Sequence, residues 1–216
     1  MPLGISQKCR SIAPSATLAM DAKARELREK GADVISFGTG EPDFDTPEPV
    51  RETMKQAMDL GMTHYCPVAG TMELRDAIRT RLEADHGVVY GRDQVIVCNG
   101  AKHALYNAFQ ALLDPGDEVI VDNPCWVSYP EMVRMAGGTP VFLYCPESQG
   151  FLPDMGDLEK LITPRTKAFV LNNPSNPNGC IWTREQLLKL GELAVKYDFY
   201  IISDEIYEKL VYDGLQ

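Results

Sequence analysis

Apolar positions along this chain follow two rhythms. Short continuous runs of β-branched and aromatic residues occupy 95–98, 119–121, 141–144, 168–171 and 200–202. Apolar on successive positions, they predict strands buried on both faces, as in a parallel sheet covered by helices. A buried helix segment would show a similar pattern. The breakers beside the runs, Asp114-Pro115-Gly116, Pro164-Arg165 and Asn173-Pro174, favour strands.

Between the runs the spacing turns helical. Thr46 followed by Pro47 predicts an N-cap with proline at the first helical position, after which Val50, Met54, Ala57 and Met58 line one face. Leu74, Ala77, Ile78 and Leu82 make a second stripe, and Ala101, Ala104, Leu105, Ala108 and Leu112 a third. Thr183 with Gln186 three residues on is a capping box opening a helix that runs to about Tyr197. These stripes are expected to be core faces. From residue 95 the order is β-α-β-α-β-loop-β-α-β, which predicts an α/β fold with a mainly parallel sheet. Ligands of such sheets sit beyond the carboxyl ends of the strands.

Composition narrows the function classes. Of 216 residues, 44% are hydrophobic and 24% charged, as in ordinary globular proteins. The net charge of −10 repels phosphate backbones and anionic lipid, so neither nucleic acid nor a membrane surface is an expected partner. Cys9, Cys66, Cys98, Cys125, Cys145 and Cys180 lie far apart without histidine clusters, which predicts reduced thiols and no metal site. The first fifteen residues hold no secretory apolar run, and nothing approaches the roughly 18 apolar residues of a membrane span. A cytoplasmic protein is expected.

Four segments follow the runs at the expected ligand rim. Gly100-Ala101-Lys102 opens a helix, where free backbone N–H groups could seat a phosphate or where glycine serves turn geometry alone. Trp126 could pack between elements or stack on a flat ligand. Asn172 through Gly179, with two Asn-Pro steps, forms an extended turning loop, an ordinary surface turn or one with an amide aimed into a site. Asp204 ends an all-apolar strand, where a carboxylate is costly unless paired. It could cap the next helix or meet a protonated heterocyclic nitrogen, with Tyr207 on the same side.

Taken together with Pro14-Ser15-Ala16-Thr17, the stretch from Gly38 to Pro47, Tyr65 to Gly70, and Leu113 to Glu118, these segments resemble the class I/II aminotransferases. These are fold-type I enzymes that use pyridoxal 5′-phosphate, and the likeness is greatest to the bacterial aspartate/prephenate branch. The resemblance implies a three-layer α/β/α large domain over 46–216, incomplete at the C-terminus, after an N-terminal arm and small-domain segment over 1–45. It implies that Gly100, Ala101 and Lys102 hold the cofactor phosphate and Trp126 stacks on its ring. Asn176 and Tyr207 would bond its phenolic oxygen, and Asp204 would pair with its ring nitrogen. Gly40 would meet the substrate α-carboxylate through its backbone, while Lys102 and Thr17 would serve the distal carboxylate of an acidic substrate. Tyr65 would reach the phosphate of a partner subunit in a homodimer. Asn178 stands where the family usually has threonine.

The family's covalently attached lysine follows the Asp204 motif by about thirty residues, and Gln216 is the last residue here, so no catalytic lysine is assigned in the chain. Two strands of the family's sheet also come later, between the run at 95 and the rest. The expected activity is amino transfer between an acidic L-amino acid and a 2-oxo acid, carried by an N-terminal portion. The alternatives are a non-catalytic truncated or split product that binds the cofactor weakly or pairs with a homologue, and a carbon–sulfur lyase of the same fold.

Overall fold

A computed structural model describes residues 4–38, 40 and 44–214. Among the described residues eight α-helices lie at Gln7–Arg10 (α1), Ala16–Glu29 (α2), Glu48–Asp59 (α3), Met72–His86 (α4), Ala101–Leu112 (α5), Ser128–Met135 (α6), Met155–Leu161 (α7) and Arg184–Tyr197 (α8). Four strands lie at Glu118–Asn123 (β1), Thr139–Tyr144 (β2), Thr166–Asn172 (β3) and Tyr200–Asp204 (β4). The chain divides into two compact units, residues 17–100 and residues 1–16 with 101–216.

The second unit carries the sheet. All pairings are parallel, in the order β2-β1-β3-β4. Alternate residues of β1 enter opposite cores. Val119 and Val121 pack with Leu105 and Phe109 of α5 and with Tyr129, Met132 and Val133 of α6. Ile120 packs with Leu158 of α7, Leu190 and Leu193 of α8, Phe169 and Trp182. Burial of both faces explains the unbroken apolar runs, and the layers are α/β/α. Each fully buried side chain contributes about 1.5–3 kcal/mol, which makes the central strands the rigid base of the rim. At the amino end of β1, Glu118 accepts bonds from Thr163 Oγ1 at 2.6 Å and Arg165 Nε at 2.9 Å. The Thr163 bond is the largest influence holding its carboxyl below the usual range. Polar groups there serve structure, and the opposite end carries the candidate chemistry.

Four of the five apolar runs are strands. The run at 95–98 is not: Val97 N–H donates to Ala69 O at 3.0 Å, and Ile96 is exposed. A strand exists only against a neighbour, and none pairs with these residues among the described ones. Among the described residues β4 pairs on one side only, with β3, and Tyr200 and Ile201 are exposed. Between β2 and β3 the expected loop contains α7, capped by Asp154, whose Oδ1 accepts from Gly156 and Asp157 N–H. Pro47, not Thr46, occupies the cap position of α3, with Pro49 in its first turn, where a missing N–H costs nothing. The α3 stripe is a further correction, because Val50, Met54 and Met58 are exposed. Among the described residues of 17–100 only Ala24 and Val95 are buried hydrophobics.

The capping box at α8 forms as expected. Gln186 N–H donates to Thr183 Oγ1, and Thr183 N–H donates to Gln186 Oε1. Thr183→Ala is expected to remove about 1 kcal/mol of stability, read as a lower urea midpoint at unchanged slope.

Candidate functional site

Asp204 terminates β4 at the carboxyl rim and is 8% exposed. Its carboxylate is held by two donors. Tyr129 Oη donates to Oδ2 at 2.7 Å, and Ile206 N–H donates to Oδ1 at 3.3 Å. Tyr129 comes from the first turn of α6, where packing in the α5/α6 core fixes its ring. Burial, and then the bond to Asp204, push its phenol far above the ordinary tyrosine range, so it stays a donor. The Tyr129 ring stands edge-on to Trp126, 81° between planes and 5.2 Å between centroids. Lys102 Nζ lies 4.8 Å from the Trp126 ring centroid, a cation–π contact that keeps a positive charge at the rim. One chain of contacts thus runs Lys102, Trp126, Tyr129, Asp204.

A second chain reaches the same residue from the loop after β3. Asn172 Nδ2 donates to Asp204 O at 3.0 Å, and Asn172 Oδ1 accepts from Asn176 N–H at 2.7 Å. Asn176 Nδ2 then donates to Tyr207 Oη at 3.4 Å. The phenol oxygen takes this bond as acceptor, so its own proton is directed elsewhere. Both Asn-Pro bonds of the loop are cis. An open cleft of about 340 Å³ runs between α5 and the end of β4, lined by residues that include Ala101, Ala104, Asp204 and Ile206.

The structure therefore brings together Lys102, Trp126, Asn176, Asp204 and Tyr207. Ala101 begins α5, whose leading N–H groups lack intrahelical acceptors. Gly100 precedes it with φ +82°, a conformation that by itself favours glycine. Thr17, Gly40 and Tyr65 belong to the other unit. Thr17 lies in the first turn of α2, and Gly40 and Tyr65 are exposed. Thr39 and residues 41–43 of the Gly38–Pro47 motif lie outside the described residues. Sequence reasoning missed Tyr129. Its only signal was a tyrosine three residues after Trp126 at the start of a helix, and its bond spans 75 residues.

With this geometry in place, comparison with known proteins assigns the class. Residues 32–216 match the family model of the class I and II aminotransferases, and the chain belongs to that family. It is 50% identical over 211 residues to the aspartate/prephenate aminotransferase of Thermus thermophilus, covering 98% of this chain and 55% of that protein. It is 49% identical over 210 residues to the aspartate aminotransferase of Geobacillus stearothermophilus, covering 97% and 53%. Among solved structures, aspartate aminotransferase from Thermus thermophilus with maleate superposes with a TM-score of 0.95 at 50% identity, over 99% of this chain and 56% of that one. Aspartate aminotransferase from Thermotoga maritima gives 0.93 at 46%, over 98% and 56%. The chain spans about half the length of the curated relatives it matches. No described helix is long and apolar enough to cross a membrane.

Proposed function

We propose that this chain supplies the cofactor-binding half of a pyridoxal 5′-phosphate-dependent aminotransferase that moves an amino group between an acidic L-amino acid and a 2-oxo acid. The observation that carries the reading is Asp204, a buried carboxylate at the end of β4 with one donor on each oxygen. A carboxylate offers about four lone-pair sites, so capacity remains for a protonated ring nitrogen. The cleft beside it is large enough for a small ligand. The residues fit the group.

Pyridoxal phosphate, when bound, supplies an electron sink for negative charge at the substrate α-carbon. The chain's own residues do the rest. Asp204 holds the proton on the ring nitrogen. Trp126 would stack on the ring. Tyr207, whose oxygen already accepts from Asn176, turns its proton to the phenolic oxygen, and Asn176 has a second amide hydrogen for the same atom. Gly100, Ala101 and Lys102 receive the phosphate at the start of α5. Lys102 would meet the distal carboxylate of the substrate. The similar aspartate aminotransferase from Thermus thermophilus, solved with maleate, supports a dicarboxylate substrate. A homodimer in the cytoplasm, with Tyr65 serving the partner's phosphate, accords with the exposure of Tyr65, Val68 and the α3 stripe and with six free thiols.

The test joins this chain to the C-terminal remainder of the Thermus thermophilus enzyme. The expected product transfers the amino group of aspartate to a 2-oxo acid and loses at least about 100-fold of that rate with Asp204→Ala, equivalent to about 2.7 kcal/mol. Release of thiol from a thioether amino acid without amino transfer would assign a lyase instead. A folded, inactive product would favour a non-catalytic role.

A further inference from the structure

We infer that Tyr129 is a positioning residue, whose phenol holds the Asp204 carboxylate in the orientation that receives a protonated ring nitrogen and whose ring edge sets the plane of Trp126. The inference rests on the reading of Asp204 given above, and it names what makes that carboxylate selective.

Tyr129 is 2% exposed, and its hydroxyl has a single proton, which goes to Asp204 Oδ2 at 2.7 Å. Ile206 N–H occupies Oδ1. With a donor on each oxygen, Asp204 presents only lone pairs to any further partner. A neutral pyridine nitrogen is itself an acceptor and gains nothing there, whereas a protonated one donates. The two donors therefore select the cationic form of a heterocycle. The phenol is suited to this because burial, followed by Asp204, keeps it protonated. The ring of Tyr129 also stands edge-on to Trp126, so one side chain governs both the end of the ligand ring and the face stacked upon it. Removing the hydroxyl leaves the buried carboxylate without its Oδ2 donor and free to rotate.

The test uses pyridoxamine 5′-phosphate and its 1-deaza analogue, in which C–H replaces the ring nitrogen, with binding read by quenching of tryptophan fluorescence. Wild type is expected to prefer the nitrogen ligand. Tyr129→Phe is expected to lose about tenfold in affinity for that ligand, as for a hydrogen bond to a charged group, and less than about twofold for the deaza analogue. Equal losses on both ligands would reduce Tyr129 to packing and overturn the inference. A wild-type chain that binds both equally would remove the reading of Asp204 itself, and the inference with it. A measurement without ligand covers a Tyr129→Phe chain that does not fold: in Asp204→Asn the Tyr129 phenol must ionise at lower pH than in wild type, followed by NMR of labelled tyrosine. An unchanged titration would overturn the coupling.

Discussion

Asp122→Asn is expected to stabilise the protein at pH 8, by at most about 4 kcal/mol because the buried amide keeps part of the desolvation cost, and to flatten its stability between pH 4 and 7. Asp122 follows Val121 in β1, is 9% exposed, and its Oδ1 has no hydrogen-bond partner. Burial pushes its carboxyl from 3.8 up to about 7. The Trp182 indole N–H lies close enough to oppose that shift, yet it too is buried and outside hydrogen-bond geometry. The groups facing Asp122 are Cys125 on its own loop, Cys145 beyond β2 and Cys180 after β3. Burial, and then Asp122, raise the Cys125 and Cys145 thiols to about 11 and 12, and among the described residues no cation compensates the carboxylate.

The sign follows from proton binding. Because the folded value lies above the unfolded one, the native state binds more protons than the unfolded state between about pH 4 and 7. The stability is fully present below about pH 4 and is lost as pH rises through 7. Urea unfolding at pH 5 and pH 8 measures this: wild type should weaken between the two, and Asp122→Asn should not. Equal stability of wild type at both values would show Asp122 to be solvated or paired.

Asp204→Asn is expected to weaken binding of pyridoxamine 5′-phosphate by at least about 30-fold, the loss that follows when one partner of a buried, hydrogen-bonded charge pair is removed. Asparagine keeps an acceptor for Tyr129, so the rim should retain its shape while losing the charge. Calorimetric titration of both proteins, with far-UV circular dichroism to establish folding, gives the comparison. Unchanged affinity in a folded variant would mean that the ring nitrogen lies elsewhere.

Much of this fold was legible along the chain because local chemistry and packing agree. The Thr183–Gln186 box forms at the expected bond pair, and the doubly buried runs of β1 and β3 announce strands covered on both faces. The run at 95–98 has the same composition and is no strand, since sequence shows an apolar stretch but not whether a neighbour is there to pair with it. The seven residues of α7 are too few for a strong period, although Asp154 before Met155, Leu158 and Leu161 was a usable signal. The α3 stripe shows that amphipathicity marks a face able to be covered, not one that is covered.

At the site, residue types at strand ends were readable and their partners were not. Asp122 and Asp204 both end apolar runs, yet one meets a tyrosine hydroxyl from α6 and the other faces thiols and an indole. Only the three-dimensional path distinguishes the paired carboxylate from the costly one. Likewise Asn172 reads as part of a turn, whereas its amide ties Asp204 to Asn176.

The most direct measurement is the ¹⁵N chemical shift of the ring nitrogen in labelled pyridoxamine 5′-phosphate bound to this chain at pH 8. A protonated nitrogen is expected in wild type, with loss of that signal in Asp204→Asn. An unprotonated nitrogen in the wild-type complex, or one indifferent to residue 204, would contradict the reading of Asp204.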